Sequence, residues 1–167
     1  HVLGRIRRFQ REHSSRQVQS RWGYAKRLNI ELSRKIAAEI TKYAVEYQAD
    51  VIVFEYLEMQ GKISGKKRQK LHLWRKRDIQ KLCEHQAHRN EIRVSRVSAR
   101  NTSRLACDGS GAVVRNSENH SLCTFRTGKQ YNCDLSAAYN IGARYFIREL
   151  LKTLPETERS SLEAKVP

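Results

Sequence analysis

Acidic residues are scarce in this chain: 17 Asp and Glu stand against 33 Lys and Arg, which gives a formal net charge of +16. The positive charges of such a chain repel one another, and proteins usually tolerate this repulsion when they bind a polyanion. Nucleic acid is the simplest polyanionic partner. Long apolar runs are also lacking. No run approaches the roughly 18 residues that a membrane span needs, which excludes a transmembrane protein. The 4 cysteines do not make a disulfide scaffold, so we expect a reducing, intracellular setting.

A length of 167 residues is typical of a single domain. The hydrophobic share of 39% is low for a globular protein. It still suffices for a core, because apolar residues are concentrated in blocks such as 51–54. The chain begins at His1 without a methionine or a signal peptide, so we expect a fragment or an excised domain.

Positive charge is concentrated in the middle of the chain. Residues 61–104 carry 14 basic and 3 acidic residues, whereas residues 105–167 carry 8 and 7. Between the basic regions lies a short segment, 51–60, whose only charges are two glutamates. This pattern favours a site that holds a phosphate backbone and cations, and the alternative is a solvated surface with scattered charges. We predict nucleic-acid contacts from Lys66, Lys67, Arg68, Lys70, Arg75, Arg100 and Arg104.

Apolar periodicity predicts alternating helices and strands. The predicted elements are, in order, the end of a strand or hairpin at 1–9, a helix at 24–47, a buried central strand at 51–57, a mobile basic loop at 60–70, a helix at 71–90, a strand at 92–97, loops and short hairpins at 99–132, and a helix at 135–154 that Pro155 stops. This order predicts an α/β fold. The strands at 51–57 and 92–97 are expected to be parallel, with a right-handed helical crossover.

Two acidic residues are candidates for chemistry. Glu55 interrupts an apolar strand, so its carboxylate must be paired, solvated or bound to a metal, because burying an unpaired carboxylate is costly. Asp134 directly precedes the last helix, where it is either an N-cap or a carboxylate aimed at a metal. Two-metal phosphodiester cleavage needs three or four converging carboxylates, and residues 1–50 offer no convincing third. We expect the two carboxyl groups about 4–8 Å apart if they share a cation.

The cysteines raise the question of zinc. A zinc ribbon needs paired Cys-x-x-Cys knuckles, and none is present. A ligand set of Cys107, His120, Cys123 and Cys133 is arithmetically possible, but His120 would have to turn inward and Cys133 would have to leave the base of the last helix. We therefore expect no stoichiometric zinc, and we expect residues 108–130 to be more mobile than the sheet. Cys83, at helical spacing from apolar neighbours, is expected in the core.

Three segments resemble one family. Residues 51–57 (Val-Ile-Val-Phe-Glu-Tyr-Leu) resemble the second RuvC motif of TnpB, the transposon-encoded RNA-guided nuclease. Residues 101–107 (Asn-Thr-Ser-Arg-Leu-Ala-Cys) resemble the Thr-Ser-x-x-Cys start of that family's zinc ribbon, with three residues instead of two between Ser and Cys. Residues 132–141 (Asn-Cys-Asp-Leu-Ser-Ala-Ala-Tyr-Asn-Ile) resemble its third RuvC motif. Type V CRISPR effectors share this layout, and the match in order and spacing covers roughly residues 25–150.

The resemblance implies a RuvC-like, RNase H-like mixed sheet flanked by helices, and a DNA endonuclease that is guided by RNA and active in transposition. It implies metal-binding catalytic roles for Glu55 and Asp134, with Mg²⁺ or Mn²⁺ as the cofactor. The expected partners are DNA and a guide RNA, without a membrane, in a cytoplasmic, nucleoid-associated location. The family's first catalytic Asp lies on a strand upstream of the basic helix. The third carboxylate is therefore expected before His1, and this chain alone is expected to be inactive.

The resemblance also implies a domain organisation. Residues 1–98 correspond to a RuvC-like core without its first catalytic strand, 99–132 to the zinc-ribbon-like insertion, 133–155 to the C-terminal RuvC-like helix and 156–167 to a polar tail. The insertion is degenerate, because Ser110 and Arg126 stand where the second cysteine of each knuckle is expected. A catalytically incomplete nucleic-acid-binding module with the same fold remains the alternative function.

Overall fold

The computed structural model describes residues 2–12, 15–56 and 76–163. Within these ranges the elements are α1 (Val2–Glu12), α2 (Ser15–Glu46), β1 (Val51–Tyr56), α3 (Lys76–His88), β2 (Arg93–Ser98), β3 (Val114–Arg115), β4 (Leu122–Thr124), β5 (Gln130–Asn132), α4 (Cys133–Lys152) and α5 (Glu156–Glu163). Strands β1 and β2 pair in one sheet, and β3, β4 and β5 form a second. The described chain is thus a mixture of helices and small sheets. None of its helices has the length and apolar content to cross a membrane.

The chain divides into two compact units. One holds the described residues up to Ile52 together with 76–94, and the other holds 53–56 and 95–163. The division falls within strands β1 and β2. The domain boundaries expected from the family resemblance stay a prediction.

The first unit begins with a helix where we expected a strand. In α1, Val2, Ile6 and Phe9 recur at intervals of four and three residues, which is the spacing of one helix face. Ile6 is buried, and the Arg21 guanidinium of α2 lies 3.7 Å from the centre of the Phe9 ring. The strand prediction was wrong because the basic residues between these apolar positions hid their helical spacing.

Helix α2 is confirmed, and it begins nine residues before its predicted start at 24. Its buried face consists of small residues, including Ala37, Thr41 and Ala44, against which α3 packs. Cys83 of α3 is fully buried, as predicted, and its thiol lies 3.7 Å from the Ala37 carbonyl oxygen. Burial raises the pKa of the Cys83 thiol. Leu32 and Ile36, which are larger, are 48% and 44% exposed, so the buried face of α2 is formed by its small side chains.

Strands β1 and β2 lie side by side with their beginnings adjacent. The Arg93 N–H, at the start of β2, donates to the carbonyl of Asp50, just before β1, at 3.0 Å. Glu55, near the end of β1, contacts a residue that follows the end of β2. The starts of the two strands are therefore adjacent, and so are their ends. The two strands run in the same direction, as the predicted parallel pair requires. Residues 51–55 are half-buried, and β1 has one neighbour among the described strands, so the predicted central position is not found there.

The second unit contains the insertion and the last helices. Strands β3, β4 and β5 are antiparallel, with Val114 opposite Thr124 and Leu122 opposite Asn132. This antiparallel pairing confirms the predicted short hairpins. A small apolar cluster packs beside the strands. Helix α4 ends near its predicted stop. In the polar tail after Pro155, Glu156–Glu163 form helix α5.

Candidate functional site

Glu55 lies near the end of β1, where its side chain is half-buried. Its carboxylate oxygen Oε1 accepts a hydrogen bond of 2.9 Å from the hydroxyl of Thr102. The carboxylate is therefore partnered, as the cost of burying it requires. A carboxylate has about four acceptor positions, so this bond leaves it able to accept other donors or to bind a cation.

Thr102 lies in a tight turn that follows β2. Asn101 adopts a left-handed conformation (φ 60°), which asparagine tolerates better than most residues. The N–H groups of Arg104 and Leu105 donate to the Asn101 carbonyl at 3.0 and 3.2 Å and close the turn. Thr102 itself is only 2% exposed. The turn thus carries a buried hydroxyl to the Glu55 carboxylate.

Asn140 of α4 also holds the turn that contains Thr102. Its side-chain Nδ2 donates to the carbonyls of Thr102 at 2.9 Å and Leu105 at 2.8 Å. An amide nitrogen carries two hydrogens, so both are used on the two ends of one turn. Glu55, Thr102 and Asn140 belong to the three segments on which the family resemblance rests, and hydrogen bonds connect all three.

A polar ridge on α4 holds the rest of the segment that runs from β2 to Cys107. Its members are four residues apart and therefore lie on one face of the helix: Ser136, Asn140, Arg144 and Arg148. They bond in order along residues 95–107. The bonds are Arg148 Nη1 to the Arg96 carbonyl (2.9 Å), Arg148 Nη2 to Ser95 Oγ (2.7 Å), Arg144 Nη1 to the Ser98 carbonyl (2.8 Å) and Cys107 N–H to Ser136 Oγ (3.2 Å).

Sequence reasoning missed this ridge. It identified α4 from its apolar residues, and two of these, Phe146 and Leu150, are 65% and 67% exposed. The signal that could have found the ridge is the four-residue repeat of polar side chains in a helix that is otherwise apolar. Thr102 and Asn140 were part of the quoted motifs but were assigned no role.

Asp134 lies in the first turn of α4, and it is exposed. The N-cap is Asn132, whose side-chain oxygen accepts the N–H groups of Asp134 and Leu135, each at 2.9 Å. The interpretation of Asp134 as the N-cap is therefore wrong, because the helix begins one residue before it. A carboxylate at this place is stabilised by the positive end of the helix dipole. The predicted approach of its carboxyl group to that of Glu55 stays a prediction.

The two carboxylates have the chemistry that a hard cation prefers. Magnesium is bound through one or two carboxylates, with waters and phosphate oxygens completing its shell. Glu55 and Asp134 belong to the same compact unit, and both supply oxygen donors. Over the ranges that the structure describes, however, no group of three or more His, Cys, Asp and Glu side chains could hold a metal ion. A shared cation at Glu55 and Asp134 therefore stays a prediction.

The predicted zinc ligands are distributed differently. Cys123 and Cys133 are buried in the apolar cluster beside the β3–β5 sheet, with Cys107 packed against it, while His120 is exposed. Burial, with a smaller contribution from Cys133, raises the pKa of the Cys123 thiol from 9.0 to about 11. Among the described residues, these side chains form no group of three or more that could hold a metal ion. The expected lack of stoichiometric zinc stays a prediction.

The two positions that replace knuckle cysteines have other contacts. The Ser110 N–H donates to the Asp108 carboxylate at 2.9 Å, and this turn lowers the pKa of Asp108. The Arg126 side chain packs over Gly111, where a Cβ would lie 3.3 Å from the guanidinium. Gly111 also has a φ of 110°, which favours glycine. Hydrogen bonds and packing thus hold the segment at these two positions.

Of the predicted nucleic-acid contacts, Arg100 and Arg104 lie in and beside the turn that carries Thr102, and both are exposed. The other predicted contacts, Lys66, Lys67, Arg68, Lys70 and Arg75, lie outside the described residues. The two described arginines place positive charge next to the turn that reaches Glu55.

The sequence matches no protein-family model and no curated protein. The fold is similar to solved structures, among them Cas12f1 in the cryo-EM structure of its complex with sgRNA and target DNA. The TM-score is 0.63 at 17% identity, and the likeness covers 84% of this chain. The chain spans 40% of the length of the Cas12f1 chain. At this identity the comparison shows a Cas12-like fold and nothing finer.

Proposed function

We propose that this chain is the C-terminal, RuvC-like part of a transposon-associated, RNA-guided DNA endonuclease of the TnpB type. The observation that carries the proposal is the hydrogen-bonded connection of Glu55, Thr102 and Asn140. These residues come from three separate segments that resemble TnpB motifs, and the structure joins them in one compact unit. The Cas12-like fold supports the same assignment.

In this proposal Glu55 and Asp134 hold a divalent cation. Magnesium at such a site would activate a water and stabilise the leaving oxygen of a DNA phosphodiester. The α4 dipole and the Asn132 cap fix the backbone from which the Asp134 carboxylate extends. The Thr102 hydroxyl donates to the Glu55 carboxylate. Arg100 and Arg104 would bind the phosphate backbone beside them, together with the predicted basic residues between 66 and 75.

The second candidate function is a nucleic-acid-binding module that does not cut. It is favoured by the scarcity of metal-binding side chains, because the described residues offer no group of three that could hold an ion. Both functions predict nucleic-acid binding. They differ in whether Glu55 and Asp134 hold a cation.

Cation binding tests the proposal. Mn²⁺ affinity is measured by electron paramagnetic resonance on the full chain, on Glu55→Gln and on Asp134→Asn, with Glu118→Gln as an exposed-carboxylate control in the same unit. The endonuclease proposal predicts that each of the first two substitutions weakens Mn²⁺ binding at least tenfold, while the control binds as the parent does. Equal affinity in all four proteins, with unchanged binding of single-stranded DNA, would support the non-cleaving module.

A further inference from the structure

Thr102 holds the Glu55 carboxylate through a bond that neither the motif resemblance nor the fold comparison assigns. The Thr102 hydroxyl lies 2.9 Å from Glu55 Oε1 and 3.1 Å from the carbonyl oxygen of Ala99. A hydroxyl has one proton, so it donates to one of the two at a time. The Ala99 carbonyl already receives the Thr102 backbone N–H at 3.4 Å. The shorter distance and the negative charge favour donation to the carboxylate.

The hydroxyl is fixed before any ligand binds. Thr102 is 2% exposed, so water does not compete for its proton. Its backbone is held on both sides, by the left-handed Asn101 and by the Asn140 amide that bonds its carbonyl at 2.9 Å. A β-branched side chain on a fixed backbone has few rotamers. Glu55 has three rotatable bonds, and this contact restricts the position of its carboxylate.

We infer that Thr102 is a positioning residue, which orients the Glu55 carboxylate for a divalent cation, and that Asn140 keeps Thr102 in place. The inference rests on the proposed cation-binding role of Glu55. A ligating carboxylate is oriented by its own hydrogen-bond partners, and loss of such a partner typically weakens metal affinity by about 10–100-fold. Thr102 acts through Glu55 and does not itself contact the cation.

The test compares four single variants of the full chain and one double variant, Glu55→Gln with Thr102→Val. Thr102→Val keeps the shape of the side chain and removes the hydroxyl, and Thr102→Ser keeps the hydroxyl. Glu55→Gln tests the site itself. Thr41→Val is the matched control, because Thr41 is also buried and its hydroxyl donates to a backbone carbonyl within α2, at 3.0 Å. Mn²⁺ affinity is read by electron paramagnetic resonance and stability by urea unfolding.

We expect Thr102→Val to bind Mn²⁺ about tenfold more weakly than the parent chain. Thr102→Ser should restore affinity, and Thr41→Val should bind as the parent does even where it unfolds at lower urea. In the Glu55→Gln background, Thr102→Val should have no further effect on Mn²⁺ affinity, because the two residues act together.

Two results would overturn the inference, and they differ in what else they overturn. If Glu55→Gln loses Mn²⁺ binding and Thr102→Val does not, Glu55 binds the cation without Thr102, and the proposed function stands. If Glu55→Gln binds Mn²⁺ as the parent does, the cation site itself is wrong. Should Thr102→Val not fold, Thr102→Cys takes its place with the same expected loss, since S–H is a weak donor.

Discussion

The side-chain amide of Asn140 lies 2.9 Å from the carbonyl oxygen of Thr102, across 38 residues of sequence. This bond attaches helix α4 to the turn that follows β2. Through the Thr102 hydroxyl, the same turn reaches Glu55 at the end of β1. Three distant parts of the chain therefore meet at one turn, and the stability of that turn determines whether the candidate site exists.

Asn140→Ala should destabilise the chain by about 2 kcal/mol, because it leaves two carbonyls without donors. Urea unfolding measures this loss. Asn90→Ala is the control, since the exposed Asn90 amide donates to a single carbonyl, that of Gln86, at 2.8 Å. Its expected cost is about 0.5 kcal/mol or less. Equal losses in the two variants would show that the Asn140 bridge adds nothing to the turn.

Arg148→Lys should lower the free energy of unfolding by about 1–2 kcal/mol. The guanidinium of Arg148 bonds the Arg96 carbonyl and the Ser95 hydroxyl through two different nitrogens, and a lysine ammonium cannot reproduce this geometry. Those bonds are 2.9 and 2.7 Å long. The matched change is Arg34→Lys, whose exposed guanidinium lies 3.4 Å from Glu31. An exposed pair of this kind contributes about 0–1 kcal/mol. Thermal unfolding of both variants should separate them, and a smaller loss for Arg148 would contradict the ridge.

The buried thiol of Cys123 makes stability depend on alkaline pH. Its pKa is about 11 in the folded chain and 9.0 ordinarily, so the unfolded chain releases this proton first as pH rises. Stability from this group is complete below pH 9 and is lost as pH rises towards 11. In Cys123→Ala the decline of the unfolding free energy over that range should be shallower. A decline remains, because burial also raises the pKa of Tyr131.

Val113→Ala is the control for that measurement. Val113 packs against the same apolar cluster but has no proton to lose. Its substitution should lower the unfolding free energy by the same amount at every pH and keep the parent slope. A Cys123→Ala slope equal to that of the parent would show that the thiol does not carry the pH dependence.

Replacing Arg100 and Arg104 together by glutamine should weaken single-stranded DNA binding alike for all sequences. Each phosphate that the protein no longer neutralises lowers the slope of log affinity against log salt by about 0.7 for a single strand. The paired control is Arg34→Gln with Arg89→Gln, which changes net charge equally at exposed positions elsewhere. Filter binding at several salt concentrations gives the slopes. Identical slopes for the two double variants would mean that DNA binding depends on the net charge of the protein and not on Arg100 and Arg104 in particular.

Strong periodicity and β-branched runs were enough to predict α2, β1, β2 and α4 from the sequence. The buried faces were not predicted. The apolar residues that mark α4 as a helix include Phe146 and Leu150, which are exposed, whereas the polar ridge of α4 bonds residues 95–107. Sequence periodicity shows which residues of a helix lie on the same face. It does not show which segment of the chain packs against a polar face.

The candidate site was also predictable only in part, because a sequence does not show which segments contact one another. Glu55 was conspicuous because a carboxylate interrupts an apolar strand, and Asp134 because it stands at a helix start. Thr102 was not conspicuous, because its role depends on a contact with a residue 47 positions away. Its partner Asn140 looked like an ordinary polar residue of a helix. Such contacts arise from tertiary packing, which a single sequence does not display.

A Mn²⁺ anomalous difference map from crystals of the full chain tests most directly whether Glu55 and Asp134 share a cation. We predict one peak that contacts the carboxylates of both residues, at about the 2.0–2.2 Å typical of hard, oxygen-bound divalent cations. Thr102 should lie behind Glu55, with its hydroxyl bonded to the carboxylate and not to the metal. A map in which the two carboxylates bind no common ion, or lie farther apart than about 8 Å, would contradict the shared site.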